Sequence, residues 1–127
     1  MKILDTVVLI GAIREEDRHY EKAKRHLDSL TKEKDVYVPT SVLLEFDLEM
    51  KTHGYTREER KLTWEDMLVK IPQNKVLPLT PSYFAELPEL ETDLTYFDAI
   101  IVCISKEMGA KVITTDREIG SKTDTYW

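Results

Sequence analysis

Four acidic residues, each beside an apolar segment, are the strongest candidates for chemistry in this chain: Asp5, Glu45, Asp98 and Asp116. Carboxylates that converge within a few ångströms raise one another's pKa and destabilise a fold unless a divalent cation lies among them. Mg²⁺ accepts oxygen ligands and leaves coordination positions open for a phosphate oxygen. One ion, or a pair, could polarise a phosphodiester and generate hydroxide from water. We therefore expect these four residues to bind Mg²⁺ and to carry out catalysis.

Each of these acids also has a purely structural interpretation. Aspartate is a good helix N-cap, and Asp5 and Asp116 each follow a strand-like segment and precede a helix-like one. Asp98 stands three residues after Thr95, which is the spacing of a capping box. Glu45 could belong to the solvated face of a helix. Any one acid alone fits such a role, but the four taken together favour a shared site.

The elements that must position these acids follow from the hydrophobic pattern, in which short strand-like segments alternate with longer helix-like ones. This alternation favours an α/β layered fold with a parallel sheet. Strands are predicted at residues 2–4, 36–38, 76–79 and 111–114, and helices at 18–30, 41–52, 56–71 and 97–108. In open parallel sheets, ligands bind beyond the carboxyl ends of the strands, which is where Asp5 and Asp116 fall.

Length and composition indicate one small domain. The 127 residues, of which 42% are hydrophobic, suit a single domain spanning residues 1–127. No apolar run approaches the roughly 18 residues that span a bilayer, and the first residues lack a signal-peptide pattern. We therefore expect a cytosolic protein without a membrane partner. Cys103 is the only cysteine, so an internal disulfide and a cysteine-based zinc site are both excluded.

The charge balance is the main compositional argument against a nucleic-acid partner. The formal net charge is −6, whereas proteins that bind nucleic acid without sequence preference are usually basic. Divalent cations bound among several acids would offset part of that charge locally. With only four glycines there is no Gly-rich phosphate loop, and no Ser/His pattern supports a nucleophilic triad.

Four segments together resemble the PIN-domain nucleases, and in particular the short VapC-type toxins of prokaryotic toxin-antitoxin pairs. In chain order they are Ile3-Leu4-Asp5-Thr6, Val38-Pro39 followed by Leu44-Glu45, Tyr96-Phe97-Asp98-Ala99, and Ile113-Thr114-Thr115-Asp116. No single segment is specific, but their order and spacing together are. The resemblance implies a three-layer PIN-like α/β fold with a central parallel sheet of four to five strands. It also implies an endoribonuclease that uses Mg²⁺ or Mn²⁺ and is the toxin of a type II pair.

The same resemblance assigns supporting roles and partners. It implies that Thr114 supports the site, that Thr6 orients Asp5, and that the four acids are the metal ligands. Toxins of this family usually form homodimers and are held inactive by a cognate antitoxin, so we expect both partners in addition to RNA. Two positions depart from the family pattern. Val7 stands where the family often has Asn, and residues 125–127 leave little chain for a fifth strand.

Basic residues near these acids are candidates for contact with RNA phosphates. Four of them would share one helical face if the first two helices were continuous: Arg14, Arg18, Lys22 and Arg25. The acids between them favour a solvated, salt-bridged surface instead. Arg117, directly after Asp116, is the better single candidate for a phosphate contact, with an ordinary surface arginine as the alternative.

Two other functions compete with the ribonuclease. In the first, a catalytically inactive PIN-like module has become a surface for binding RNA or a partner protein. The presence of all four acids favours activity over this alternative. In the second, Asp5 is the nucleophile of a phosphotransfer or phosphatase domain. That chemistry would need a second acid two residues later, where the chain has Val7.

Overall fold

Five short strands form one parallel sheet at the centre of the protein, described for residues 1–127 by a computed structural model. The strands are β1 (Lys2–Leu4), β2 (Val36–Pro39), β3 (Val76–Leu77), β4 (Lys111–Ile113) and β5 (Thr125–Tyr126). Their spatial order is β3-β2-β1-β4-β5, and every neighbouring pair is parallel. The sheet therefore has β1 in the middle, and all of its strands end at the same edge.

Seven helices flank the sheet, as the expected three-layer PIN-like fold requires. They are α1 (Thr6–Ile13), α2 (Tyr20–Lys32), α3 (Thr40–Thr52), α4 (Arg57–Lys70), α5 (Pro81–Leu90), α6 (Tyr96–Met108) and α7 (Arg117–Gly120), with a short 3₁₀ turn at Gln73–Lys75. The Thr56 and Glu59 side chains form a reciprocal capping box at the start of α4. None of the seven helices has the length and apolar character needed to cross a membrane.

The core is densest where α6 lies against the sheet. The stretch 99–105 of α6 is buried on every side, including Cys103, and it packs with the fully buried Ile3, Leu4 and Val112 of the central strands. A helix that is apolar nearly all round can be stable only in such an interior position. Gly109 then ends α6 in the left-handed conformation, which glycine adopts without strain.

Several element boundaries differ from the sequence-based predictions. Strand β3 ends at Leu77, because the following Pro78 has no N–H to donate to a neighbouring strand. Helix α2 begins at Tyr20 and α1 ends at Ile13, so the two helices are not continuous. The four basic residues from Arg14 to Arg25 consequently do not share one helical face. Helix α5 was not predicted, and residues 125–126 do form a fifth strand.

Helices α1 and α2 pack against each other at a very short distance. A Cβ atom placed on Gly11 of α1 would lie only 2.9 Å from the Cβ of Ala23 in α2. Ala23 is fully buried, so neither backbone can move aside without disturbing the core. The lack of a side chain at Gly11 and the single methyl group of Ala23 therefore set the separation of the helices.

Replacing Gly11 by alanine should destabilise the protein, although alanine is normally the better helix former by about 1 kcal/mol. The added methyl group must push α1 away from α2, and overpacking of this kind costs roughly 1 to 3 kcal/mol. The measurement is the free energy of unfolding in urea. Gly120→Ala is the matched control, because its Cβ would meet Thr125 at an ordinary 3.5 Å. Equal stability of Gly11→Ala and Gly120→Ala would contradict the packing argument.

Candidate active site at the carboxyl edge of the sheet

The parallel topology brings the four predicted acids to one edge of the sheet. Asp5 is the first residue after β1, and its N–H donates to the Ile113 carbonyl at the end of β4 over 3.1 Å. Glu45 lies on α3, which directly follows β2. Asp98 lies in the first turn of α6. The end of α6 connects to the start of β4, so the first turn of the helix lies at the other edge of the sheet, where the strands end. Asp116 precedes α7 just after β4.

Asp5 is the most buried acid of the protein, with 4% of its surface exposed. It occupies the N-cap position of α1, but its side chain does not cap the helix. The Thr114 hydroxyl donates to Asp5 Oδ2 over 2.7 Å, and the Asp116 N–H donates to Thr114 Oγ1 over 3.0 Å. Thr114 is thus in direct contact with Asp5, the contact that its predicted supporting role requires. Burial raises the pKa of Asp5 to about 7, and the charges of Glu45 and Asp98 add to this rise.

Glu45 is half-buried beside Asp5. The Thr6 hydroxyl donates a short hydrogen bond to Glu45 Oε1. The Thr6 hydroxyl therefore contacts Glu45, which helix α3 brings within its reach, whereas the bond of Thr6 to Asp5 comes from its backbone and lowers the pKa of Asp5. Burial raises the pKa of Glu45, and the neighbouring charges of Asp98, Glu49 and Asp116 raise it further, against the lowering effect of the Thr6 bond.

Asp98 and Asp116 differ in how far they serve as helix caps. Thr95 occupies the N-cap position of α6, but its side chain does not cap a backbone N–H of the helix, so the predicted capping box of Thr95 and Asp98 is absent. A side-chain hydrogen bond with Thr95 instead lowers the pKa of Asp98, against the larger effect of burial. Burial raises the pKa of Asp98, and the charges of Asp116 and Glu118 contribute to that rise. Asp116 does cap α7, since its Oδ1 accepts the Glu118 N–H at 2.8 Å. Its Oδ2 makes no hydrogen bond within the chain and stays available to a ligand.

The structure brings Asp5 and Glu45 together most closely. Both line a depression of about 310 Å³. Asp98 and Asp116 do not line it, although the charges of these two residues raise the pKa of Glu45. No three acidic, histidine or cysteine side chains lie close enough together to hold a metal ion by themselves. The predicted convergence of all four carboxylates on one depression is thus seen only for Asp5 and Glu45.

Three further residues that could act on a ligand line the same depression: Asp17, His19 and Glu49. None of these three was among the residues predicted to form the site. Glu49 lies one helical turn after Glu45, and that spacing was the only signal that could have revealed it. Asp17 and His19 lie between α1 and α2, where the Asp17 carboxylate accepts the His19 N–H at 2.7 Å. That local turn also explains why α2 begins later than predicted.

The chemistry of the donor set suits a hard divalent cation. The side chains offer carboxylate and hydroxyl oxygens, which Mg²⁺ and Mn²⁺ prefer. None of the six ion pairs of the protein involves Asp5, Glu45, Asp98 or Asp116, so no lysine, arginine or histidine neutralises them. A buried carboxylate without a cation is costly. The site therefore has an excess of negative charge that a bound cation would relieve.

Replacing Asp5 by asparagine should stabilise the protein in EDTA, increasingly so as the pH rises. The folded-state pKa of about 7 exceeds the usual value of 3.8, so ionisation opposes folding. The cost of ionising Asp5 in the folded protein is absent near pH 3, grows between the two pKa values and is constant above pH 8. At that pH the free energy of unfolding of Asp5→Asn should exceed that of the wild type by at most about 4 kcal/mol. The measurement is urea unfolding at several pH values.

Asp47→Asn is the control with the opposite sign. Asp47 lies on α3 and is bound by Arg60 at 2.6 Å and by Trp64 Nε1 at 2.9 Å, and these hydrogen bonds lower its pKa. Its ionised form favours folding at neutral pH, and this contribution disappears as the pH falls through the folded-state pKa. Asp47→Asn should therefore destabilise the protein at pH 7. A stability gap between wild type and Asp5→Asn that does not depend on pH would contradict the burial argument.

Comparisons with known structures agree with this fold. The FitAcB structure from Neisseria gonorrhoeae is similar with a TM-score of 0.75 and 20% identity, covering 100% of this chain and 97% of that one. The VapBC2 structure from Rickettsia felis, bound to a promoter DNA fragment, has a TM-score of 0.73 and 14% identity, covering 99% and 98%. VapC20 from Mycobacterium tuberculosis, a sarcin-ricin loop cleaving toxin, has a TM-score of 0.70 and 16% identity, covering 95% and 94%.

These structural likenesses, all below 25% identity, establish the fold. A comparison with curated protein sequences gives no match. The family model of the PIN domain matches residues 2–123, which is nearly the whole chain, and it spans all four acids at the carboxyl edge of the sheet. The chain therefore belongs to the PIN domain family.

Proposed function

We propose that this protein is a metal-dependent endoribonuclease and the toxin of a type II toxin-antitoxin pair. The observation that carries the proposal is the Asp5 carboxylate, which is buried at the end of the central strand, next to Glu45, without a cationic partner. PIN domains are generally nucleases. Among the similar structures, VapC20 is described as cleaving the sarcin-ricin loop, which is RNA. A nuclease site explains why the fold maintains an otherwise costly charge.

Asp5 and Glu45 are the proposed direct ligands of Mg²⁺ or Mn²⁺. Mg²⁺ in proteins commonly uses one or two carboxylates and keeps several waters, so the lack of a three-residue cluster does not prevent binding. Asp98 and Asp116 would act on the ion through those waters and through their charge. When bound, the cation would polarise a phosphodiester and make a neighbouring water more acidic.

The chain's own residues hold this arrangement in place. Thr114 fixes one oxygen of Asp5, and Thr6 fixes one oxygen of Glu45, so both carboxylates are oriented before a substrate arrives. Arg117 is exposed, forms no ion pair and directly follows Asp116, so we propose that it contacts an RNA phosphate. Positioning of this kind is a large part of what an enzyme contributes to phosphodiester hydrolysis.

Asp98→Asn should abolish RNA cleavage while leaving the metal-free fold intact or slightly more stable. The substitution keeps the shape of the side chain but removes one negative charge that the cation needs. It also removes repulsion from Asp116 and Glu118. Cleavage of a labelled RNA with Mg²⁺ or Mn²⁺ and thermal melting in EDTA measure the two effects, which should have opposite signs.

Asp93→Asn is the matched control, since Asp93 is an exposed acid five residues earlier that pairs only with Lys122 at 2.8 Å. This variant should cleave RNA like the wild type. Retained cleavage by Asp98→Asn, or a large loss of its melting temperature in EDTA, would mean that Asp98 serves the stability of α6 and not the chemistry.

An exposed apolar surface supports the proposal of protein partners, a second copy of the chain and an antitoxin. Leu44 and Leu48 on α3, and Leu62, Leu68 and Val69 on α4, are all exposed, the last of them by 81%. Helices α3 and α4 pack against each other, and exposed apolar side chains grouped on neighbouring elements commonly mark protein interfaces. The FitAcB and VapBC2 structures are complexes of this kind of protein with a second chain, which agrees with an antitoxin partner here.

The protein without antitoxin should be a homodimer in solution. Light scattering at micromolar concentration is expected to give twice the 14.8 kDa mass of one chain. Leu68→Glu places a charge on the exposed apolar surface of α4 and should shift the equilibrium towards the monomer, because a buried unpaired charge opposes association. Lys61→Gln at an exposed position of the same helix lowers the net charge by the same one unit and is the control. A monomer mass for the wild type throughout this concentration range would contradict the homodimer.

A further inference from the structure

Four aromatic side chains at the start of α2, on α2, on β5 and directly after β5 form a continuous group that we call the aromatic strip: His19, His26, Tyr126 and Trp127. The Trp127 ring is partly buried against the core. The Trp127 ring centroid lies 5.2 Å from that of His19 and 4.9 Å from that of His26. Tyr126 lies 5.8 Å from His26 and is 46% exposed. The rings meet at angles between 51° and 81°, so they do not stack on one another face to face.

The aromatic strip begins in the depression that contains the carboxylates. His19 lines that depression together with Asp5 and Glu45, and the same ring contacts Trp127. A polymer chain bound at Asp5 could therefore continue past His19 onto Trp127 and Tyr126 without leaving the surface. The strip is thus connected to the proposed site of cleavage.

Positive charge surrounds the aromatic strip, in contrast to the net charge of −6 of the whole chain. Lys22 Nζ lies 6.0 Å from the centre of the Trp127 ring, and Lys2 Nζ lies 4.6 Å from that of Tyr126. Arg18 Nε donates to His19 Nε2 over 3.2 Å. Neither Arg18 nor Lys22 forms an ion pair, so both remain available to an anion.

Burial and this local surplus of positive charge both disfavour protonation of His26. Burial lowers the pKa of His26, and the charges of Lys22, Lys2 and Arg25 lower it further, while Glu33 opposes them. The ring is consequently neutral at pH 7, and its buried Nε2 has no hydrogen-bond partner within the protein. Cations and aromatic rings beside an acidic centre are the combination that binds the phosphates and bases of an unpaired strand.

We propose that the aromatic strip binds unpaired nucleotides of the RNA strand that is cut at Asp5 and Glu45, with bases stacked on Trp127 and Tyr126 and phosphates beside Arg18 and Lys22. This inference rests on the proposed nuclease function and adds to it a second contact surface for the same RNA strand, outside the carboxylates. Bases within a duplex are already stacked and cannot reach a side-chain platform. Double-stranded RNA therefore gains nothing from the rings and contacts only the cations.

Binding of a labelled oligouridylate to the full chain in EDTA tests the strip independently of cleavage. Trp127→Ala should weaken this binding on the order of tenfold, because stacking of one base on an aromatic side chain contributes an effect of that size. Trp127→Phe keeps a ring and should retain most of the affinity. Neither variant should change the affinity for an RNA duplex of equal length.

Two lysines of α2 provide a matched comparison for the phosphate contact. Lys22→Gln should weaken binding of both RNA forms and reduce the slope of log affinity against log salt by about 1. Lys24→Gln should change neither, since Lys24 Nζ lies 4.4 Å from the Tyr20 ring, outside the strip. Oligouridylate should also quench tryptophan emission in the wild type, and most of this quenching should be absent in Trp127→Phe.

The outcomes separate this inference from the nuclease proposal. RNA cleavage that persists together with unchanged oligouridylate affinity in Trp127→Ala would overturn the strip and leave the nuclease standing. If the wild type does not cleave RNA but its oligouridylate binding depends on the Trp127 ring, the nuclease proposal is overturned and the aromatic strip stands. Equal losses for single-stranded and duplex RNA in Trp127→Ala would also overturn base stacking. If Trp127→Ala fails to fold, two other results can still overturn the proposal. One is that Lys22→Gln leaves both the RNA affinity and its salt slope unchanged. The other is that oligouridylate quenches the tryptophan emission of Trp127→Phe as fully as that of the wild type.

Discussion

The hydrogen bond from Thr114 to the buried Asp5 carboxylate is the contact around which the carboxyl edge of the sheet is organised. It joins residues 109 positions apart in the sequence and links the ends of the two central strands, β1 and β4. Only the parallel pairing of these strands brings the two side chains to the same edge. Asp5 has been withdrawn from water without an opposite charge beside it. Its hydrogen bond with Thr114 offsets only part of the cost of ionising it, because burial still raises its pKa.

Asp116 combines a structural role with a carboxylate oxygen that has no partner in the chain. One of its oxygens accepts backbone N–H groups of α7, and the other makes no hydrogen bond. The N-cap and ligand interpretations of this residue, which compete when the sequence alone is considered, are therefore compatible. Asp5 shows the reverse: it occupies an N-cap position, but its oxygens are directed to Thr114 and the site instead of to its own helix. A capping pattern in a sequence thus cannot by itself decide what a carboxylate does.

The sequence was sufficient for those parts of the fold that depend on local patterns. The capping box at Thr56, the buried α6 and the strands beside Asp5 and Asp116 all have short-range signals, and these predictions are confirmed. Helix α5 was missed because Pro81 and Pro88 suggest loop structure, although proline is well tolerated in the first turn of a helix. The bond from Thr6 to Glu45 and the contact of His19 with Trp127 could not be predicted, because they depend on how distant elements pack.

The close approach of Gly11 and Ala23 has a consequence for the evolution of substrate choice. These two residues fix the distance between α1 and α2, and the segment joining those helices carries Asp17 and His19 to the mouth of the depression. A methyl group gained or lost at this contact would shift α1 relative to α2 and would move the segment that carries Asp17 and His19, so the width of the depression would change. The proposed choice of RNA substrate could therefore diverge between related proteins through a buried pair of small residues, without any substitution at Asp5 or Glu45.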